Sequence, residues 1–286
     1  MKKILARLGV FFIGFPLCLG IVVFLPYKNH LAVNLLVALL SALASMELSV
    51  ILYKKGLWLR KTEAFVYGFF PPLALTASVS FGISLFVPVC VVMLLAVWIL
   101  GRGIVAHGPM LDVYMERVAG GLAVLFYPSL FISWSILLNS MPAASPLFAL
   151  YLSTVIVSDS FGWAFGVLLG RNNRGIIPVS PNKSIAGYIG SLLGALAVSF
   201  VSLRLAPEIF NASALSPPAT ALILGMGTAL VSQAGDLVES AMKRSAGVKD
   251  SGGVMPGRGG ILDSIDSLAF AAPFFYFGYR ALTLFQ

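Results

Sequence analysis

Ile83-Ser84-Leu85-Phe86-Val87-Pro88-Val89-Cys90-Val91-Val92-Met93-Leu94-Leu95-Ala96-Val97-Trp98-Ile99-Leu100-Gly101 is a stretch without a single charged side chain. A helix crossing the hydrocarbon core of a bilayer needs about 20 predominantly apolar residues, and a helix satisfies its own backbone where no water is present to do so. The stretch therefore reads as one membrane span. A second apolar run, residues 65–80, lies just upstream, and Ser80-Phe81-Gly82 supplies a tight turn between the two. The whole of Val66 to Gly101 is thus long enough to cross twice.

Outward from this pair the pattern repeats at 8–26, 32–53, 118–138, 147–170, 186–206, 219–242 and 267–285, which makes nine apolar runs in all. Composition agrees: 59% of the 286 residues are apolar and 10% charged, with a mean hydropathy of +0.96, whereas soluble domains carry roughly 25% charged residues. The first run follows Met1-Lys2-Lys3 and continues to Leu25-Pro26-Tyr27 without a small-x-small cleavage site, so it reads as a retained helix. The expected fold is an all-α polytopic integral membrane protein of about nine transmembrane helices. Residues 1–140 are expected to form about five N-terminal helices serving as scaffold or dimer part, and residues 141–286 a second transmembrane region with a polar cavity on its cytoplasmic side.

Orientation follows from the basic residues, which collect on the cytoplasmic side of a membrane protein. With the N-terminus placed inside, the inner segments hold Lys2, Lys3, Arg7, Lys54, Lys55, Arg60, Lys61, Arg102, Arg117, Arg171, Arg174, Lys183, Lys243, Arg244, Lys249 and Arg258, while only Lys28, Arg204 and Arg280 fall outside. This division accounts for the net charge of +8 without a nucleic-acid partner, since the basic residues occupy short loops and form no single stripe. Cys18 and Cys90 lie inside apolar runs with no metal-ligand spacing, which argues for neither a disulfide framework nor zinc.

Acidic residues are more informative, because an Asp at the centre of a spanning helix costs on the order of 3 kcal/mol on insertion scales and marks a function or a buried hydrogen-bonded role. Asp159 is one, in Val157-Ser158-Asp159-Ser160-Phe161-Gly162-Trp163. The run 219–242 ends in Ser232-Gln233-Ala234-Gly235-Asp236-Leu237-Val238-Glu239-Ser240-Ala241-Met242-Lys243-Arg244, where helical spacing puts Ser232, Asp236, Glu239, Ser240 and Lys243 on one face. That face is too polar for lipid and should line a protein interior or a water-filled cavity.

Beyond it, Ser245 to Gly260 is a glycine-rich loop carrying Lys249, Asp250 and Arg258, a composition that lets backbone N–H groups approach phosphate oxygens while cations add charge. The chain re-enters the membrane at Asp263-Ser264-Ile265-Asp266-Ser267, with Asp263, Asp266 and Ser267 on a shared face. The topology brings these groups to one membrane side, together with the loop from Arg171 to Ser184 and its Lys183. Carboxylates among hydroxyls suit a hard cation such as Mg²⁺, which binds through one or two carboxylates plus substrate phosphates. Neither histidine, His30 or His107, falls in these segments. Chemistry that starts from an ionised phosphate nucleophile needs no His base, only positioning and charge neutralisation.

The run Ser240-Ala241-Met242-Lys243-Arg244, then Lys249-Asp250, Pro256-Gly257, Gly259-Gly260, Leu262-Asp263 and Asp266-Ser267 resembles the signature of the phosphatidate cytidylyltransferases. The resemblance extends upstream to Gly235-Asp236-Leu237, to Ser180-Pro181-Asn182-Lys183-Ser184 and to Asp159 followed by Gly170-Arg171, so it covers the C-terminal half; the N-terminal half matches in hydropathy and helix count. It implies condensation of CTP with phosphatidic acid to CDP-diacylglycerol and pyrophosphate, with Mg²⁺ holding the triphosphate. Asp236 and Asp263 would then be metal ligands with Asp266 close by, and Lys183, Lys243 and Arg244 phosphate contacts. Ser240, Lys249, Arg258 and Asp159 complete the expected substrate-binding set. CTP, phosphatidic acid and the bilayer are the expected partners, with a homodimer as a further option.

Three positions depart from the family pattern: Arg258 stands where His is usual, Ser264 where Arg is usual, and Ala186 where Glu is usual. An exchange of cationic positions between 258 and 264 keeps the charge of the loop. Two other readings stay open from sequence. One is an ion-coupled transporter using Asp159 and Asp236, although no similarity between the halves suggests inverted repeats. The other is a related CTP-using membrane enzyme acting on another lipid. The pair Gly190-x-x-x-Gly194 suits close helix packing either within the chain or between two copies.

Overall fold

The computed structural model describes residues 9–255, 257 and 259–284. Lys2, Lys3, Arg7 and Arg258, named above, therefore lie outside the described residues. Among those described, nine helical segments of ten residues or more follow one another, with short helical turns between some of them: α1 (Phe15–Phe24), α2 (Tyr27–Tyr53), α3 (Lys61–Phe81), α4 (Phe86–Gly101), α5 (Tyr114–Leu138), α6 (Ala144–Leu168), α7 (Ile185–Leu205), α8 (Pro217–Ser245) and α9 (Leu262–Thr283). Seven of them, α2 to α8, are long and apolar enough to cross a membrane, which makes the chain an all-α multi-pass membrane protein. The apolar helix containing α1 is shorter, and α9 is 22 residues long but opens with Asp263 and Asp266.

Local chemistry sets the boundaries. Gly82 ends α3 in a left-handed conformation at φ 69°, and with it the expected turn before α4. Ser184 caps α7 by accepting the Gly187 N–H at 3.1 Å. The run 118–138 is one span but not one regular helix: Tyr127 adopts an extended conformation before Pro128, since a residue preceding proline is driven out of the helical region and proline has no N–H to donate.

Successive helices alternate in direction, so the segments after α2, α4, α6 and α8 gather at one end of the bundle. Glu47 near the end of α2 reaches Ser251 and Leu262 before and at the start of α9. Glu63 in the first turn of α3 pairs with Arg102 after α4 and Arg117 in α5, and Lys183 before α7 meets Asp236 in α8. At the other end Asn29 donates to the Val79 carbonyl, and Asn139 to the Asn34 side chain, both at 2.7 Å. The basic residues expected on the inner side, where described, all sit at the first of these ends.

The tightest helix pairs are α6 with α7 and α2 with α3, followed by α8 with α9. Gly190 and Gly194 face Phe165 and Phe161 so closely that a Cβ would overlap either ring, so this small-residue pair is used inside the chain. Across α8 and α9, Gly227 and Gly235 lie against Phe274 and Phe270, and a Cβ on Gly235 would stand 2.9 Å from the Asp266 carbonyl. That approach sets Asp236 beside the Asp266 turn. By contrast α4 buries only Pro88 and Ile99 and turns Val89, Met93, Leu94 and Val97 outward, as a lipid-facing helix does.

Candidate active site

Lys243 is the junction of the site. Its ammonium forms ion pairs with Glu239 one turn back on α8 and with Asp263 on α9. The side chains of Glu239 and Asp263 are 0% and 6% exposed and that of Lys243 9%, so one cation faces two carboxylates away from water. Ion groups this deep are kept only when paired.

The second oxygen of Asp263 is held by its own loop: Asp263 Oδ2 accepts from the Ser251 N–H at 2.8 Å and from the Gly260 N–H at 2.7 Å. Ser251 Oγ lies 2.8 Å from the same oxygen and 2.9 Å from Glu47 Oε2; with one proton it donates to one of them at a time. Glu47 also accepts the Leu262 N–H at 2.8 Å, satisfying an orphan donor at the start of α9. Glycine is required here for a reason the sequence did not reveal. A Cβ at Gly260 or Gly252 would strike the Glu47 carboxylate, and Gly259, at φ +114°, lies against Asp263. The loop's N–H groups at 251 and 260, expected to face phosphate, are spent on Asp263.

A second group lies on the adjoining face of α8. Lys183 Nζ is 2.6 Å from Asp236 Oδ2 and 5.6 Å from the centre of the Tyr188 ring, and Ser240 Oγ stands 3.4 Å from Asp236 Oδ1. Asp236, with 37% of its side chain exposed, is the open carboxylate. Asp266 is buried at 6% exposure and accepts the Ser267 N–H at 2.6 Å; it lies within electrostatic reach of Asp236, Glu239 and Asp159. Tyr127, at the break in α5, is within electrostatic reach of Asp266, Glu239, Asp236 and Asp263.

Of the residues expected from sequence, Asp159, Lys183, Asp236, Ser240, Lys243, Asp263 and Asp266 are thus brought together. Arg244 is exposed and donates to the Val248 carbonyl at 3.1 Å, closing the end of α8, and Lys249 is exposed in the loop. Ser264 donates to the Gly260 carbonyl at 3.0 Å, and the Ala186 N–H lies 3.4 Å from the Asn173 side-chain oxygen. The sequence reading missed Glu47 and Ser251, and it left Glu239 out of the site. Glu47 had the same signal as Asp159, a lone carboxylate in an apolar run, but it lies in the half where the motif is silent.

Of the three carboxylates expected as metal ligands, Asp236 and Asp266 are the candidates for a hard cation such as Mg²⁺, whereas both oxygens of Asp263 are engaged by Lys243 and by the loop N–H groups. Among the described residues no three carboxylate, imidazole or thiol groups converge on one point. Asp236 and Asp266 nonetheless offer hard oxygens, and Mg²⁺ takes one or two carboxylates and completes its shell with water and phosphate oxygens.

Fold and site together define a membrane-embedded enzyme scaffold whose buried carboxylates and lysines face one end of a helix bundle. The "Cytidylyltransferase family" description matches residues 5–282, and the chain belongs to that family. A protein of Thermotoga maritima named phosphatidate cytidylyltransferase is 36% identical over 169 residues, covering 58% of this chain and 61% of the relative. Proteins of the same name from Staphylococcus haemolyticus and Haemophilus influenzae are 39% and 40% identical over 127 and 140 residues, each match covering 46% of the relative. The matched segments therefore span between about half and three-fifths of these curated relatives.

Proposed function

We propose that this chain transfers the cytidylyl group of CTP to phosphatidate, releasing pyrophosphate and forming CDP-diacylglycerol at the cytoplasmic face of the membrane. The observation that carries the reading is the Lys243 junction: two buried carboxylates from adjacent helices share one ammonium, beside an open carboxylate paired with Lys183. Buried charge of this kind is expensive in a membrane and is retained where ions or charged substrates are handled. The family match and the names of the relatives point to the same chemistry.

In this reading a phosphate oxygen of the lipid attacks the α-phosphorus of CTP, and the bond from that phosphorus to the β-phosphate bridging oxygen breaks. The nucleophile is already ionised, so no base is needed, which suits a site without histidine. Lys183 and Lys243 neutralise the phosphates and exchange their present carboxylate partners for substrate oxygens. Asp236 and Asp266, with Asp263 once Lys243 turns to substrate, would hold Mg²⁺, which when bound draws negative charge off the triphosphate. Arg244, Lys249 and Arg258 add positive charge at the loop where CTP arrives. The chemistry is assigned to residues 141–286, and the scaffold and any homodimer contact to residues 1–140, which lend Glu47.

Purified protein incubated with labelled CTP, phosphatidate and Mg²⁺ is expected to yield a CDP-lipid. Asp263→Asn is the control: equal product from this variant overturns the site assignment, and no product from any lipid phosphate with the unmodified protein overturns the activity.

A further inference from the structure

A cavity of about 220 Å³ lies between α1, α2, α5, α6 and α9. One end is made by Ile261 and Ser264, the neighbours of Asp263 in the site, and by Met255 of the glycine loop. From there it runs along α9 past Leu268 towards Val37 and Leu152, which lie nearer the opposite end of the bundle. Its walls are apolar in effect as well as in composition. The hydroxyls of Ser264, Ser135 and Tyr151, which line it, already donate to the carbonyls of Gly260, Ile132 and Leu268 at 3.0, 2.7 and 2.6 Å.

Walls of this kind offer dispersion contacts to an apolar occupant and little to water. The cavity is only partly enclosed, so a flexible apolar chain can enter it from outside the bundle. We propose that this cavity receives one acyl chain of the lipid phosphate whose headgroup lies at Asp263, so that the site selects a long-chain lipid by burying the chain inside the bundle.

The occupant is argued from continuity with the site and from direction. Ile261 and Ser264 flank the residue that the transferred phosphoryl group must approach, and the cavity leads away from it into the apolar depth of the bundle, as the chain of a lipid does from its headgroup. This inference rests on the cytidylyltransferase reading, and the test separates the two.

Val37→Phe and Leu152→Phe fill the cavity far from the carboxylates. Each is expected to lower kcat/KM for a long-chain phosphatidate relative to a short-chain one by about tenfold or more, the range for misfit in an apolar pocket, while turnover of the short-chain lipid is unchanged. An unchanged ratio overturns the proposal. Should either variant fail to fold, the unmodified protein decides the question with phosphatidate carrying a photoreactive group in mid-chain. Labelling of peptides containing residues 148–156 and 261–268, absent when phosphatidylcholine carries the same chain, supports the cavity, and equal labelling from both lipids overturns it. If unmodified protein makes no CDP-lipid from either chain length, the activity is wrong, and the labelling still reports on the cavity by itself.

Discussion

Two ionic clusters sit at the same end of this bundle, and they are built on opposite charge balances. In the N-terminal half Glu63 is shared by two arginines, Arg102 at 2.8 Å and Arg117 at 3.4 Å, with Glu63 and Arg117 each 18% exposed and Arg102 25%. In the C-terminal half one lysine is shared by two carboxylates that are almost wholly buried. Excess cation at a membrane boundary is stabilised by the anionic surface and by water, so the first cluster needs no ligand to account for it. Excess carboxylate in the interior lacks such compensation, and the second cluster is therefore the one that calls for a substrate or metal. Helix ends tie down the first, whereas a glycine loop folded over Asp263 and Glu47 frames the second.

The contrast can be broken at several points. Asp263→Asn is expected to have the largest effect, a loss of CDP-lipid formation of about 10²–10³-fold, the scale of removing one preorganised electrostatic group; the labelled-CTP assay reads it. If Asp263→Asn and Arg102→Ala reduced turnover equally, the distinction between the clusters would be wrong. Lys243→Met leaves Glu239 and Asp263 buried without a cation and is expected to cost about 3–5 kcal/mol of stability, seen as a lowered midpoint in thermal unfolding in detergent, with activity lost as well.

Gly260→Ala drives a methyl group into the Glu47 carboxylate and the Ser251 hydroxyl, so turnover should fall while helical content, followed by circular dichroism, stays the same. Glu47→Ala removes the acceptor of the Leu262 N–H and should lower stability by about 1 kcal/mol, as loss of a helix cap does; Glu47→Gln, which keeps an acceptor oxygen, should recover most of it. Arg102→Ala is the smallest change: about 1 kcal/mol or less in stability, as for other partly exposed ion pairs, with turnover retained.

How far the sequence could be read differs between these same two regions. Asp236 was legible because a carboxylate in an apolar run stands out against its insertion cost, and Asp263 and Asp266 because they open the last run within one short gapped motif. Glu47 obeys the same cost argument, yet its partners Ser251 and Leu262 are 204 and 215 residues away, and nothing local indicates which helix end it will meet. The break in α5 could have been read from Tyr127-Pro128, whereas the placing of Tyr127 near the carboxylates could not.

The sequence by itself determined that the chain is a bundle of membrane helices, where most of them end to within about three residues, and which face of α8 is polar, while the starts of α1, α2 and α9 differ from the apolar runs by five to seven residues. Hydrophobic run length, helical period and charge distribution are local quantities that any reader of the chain can measure. Only the tertiary structure decided that Lys243 joins Glu239 to Asp263, that Lys183 stands on Asp236, and that the loop's glycines make room for carboxylates of the same chain. Those outcomes depend on how closely helices approach, and the approach is set by packing contacts such as Gly235 against Phe270, between residues that are distant in the chain.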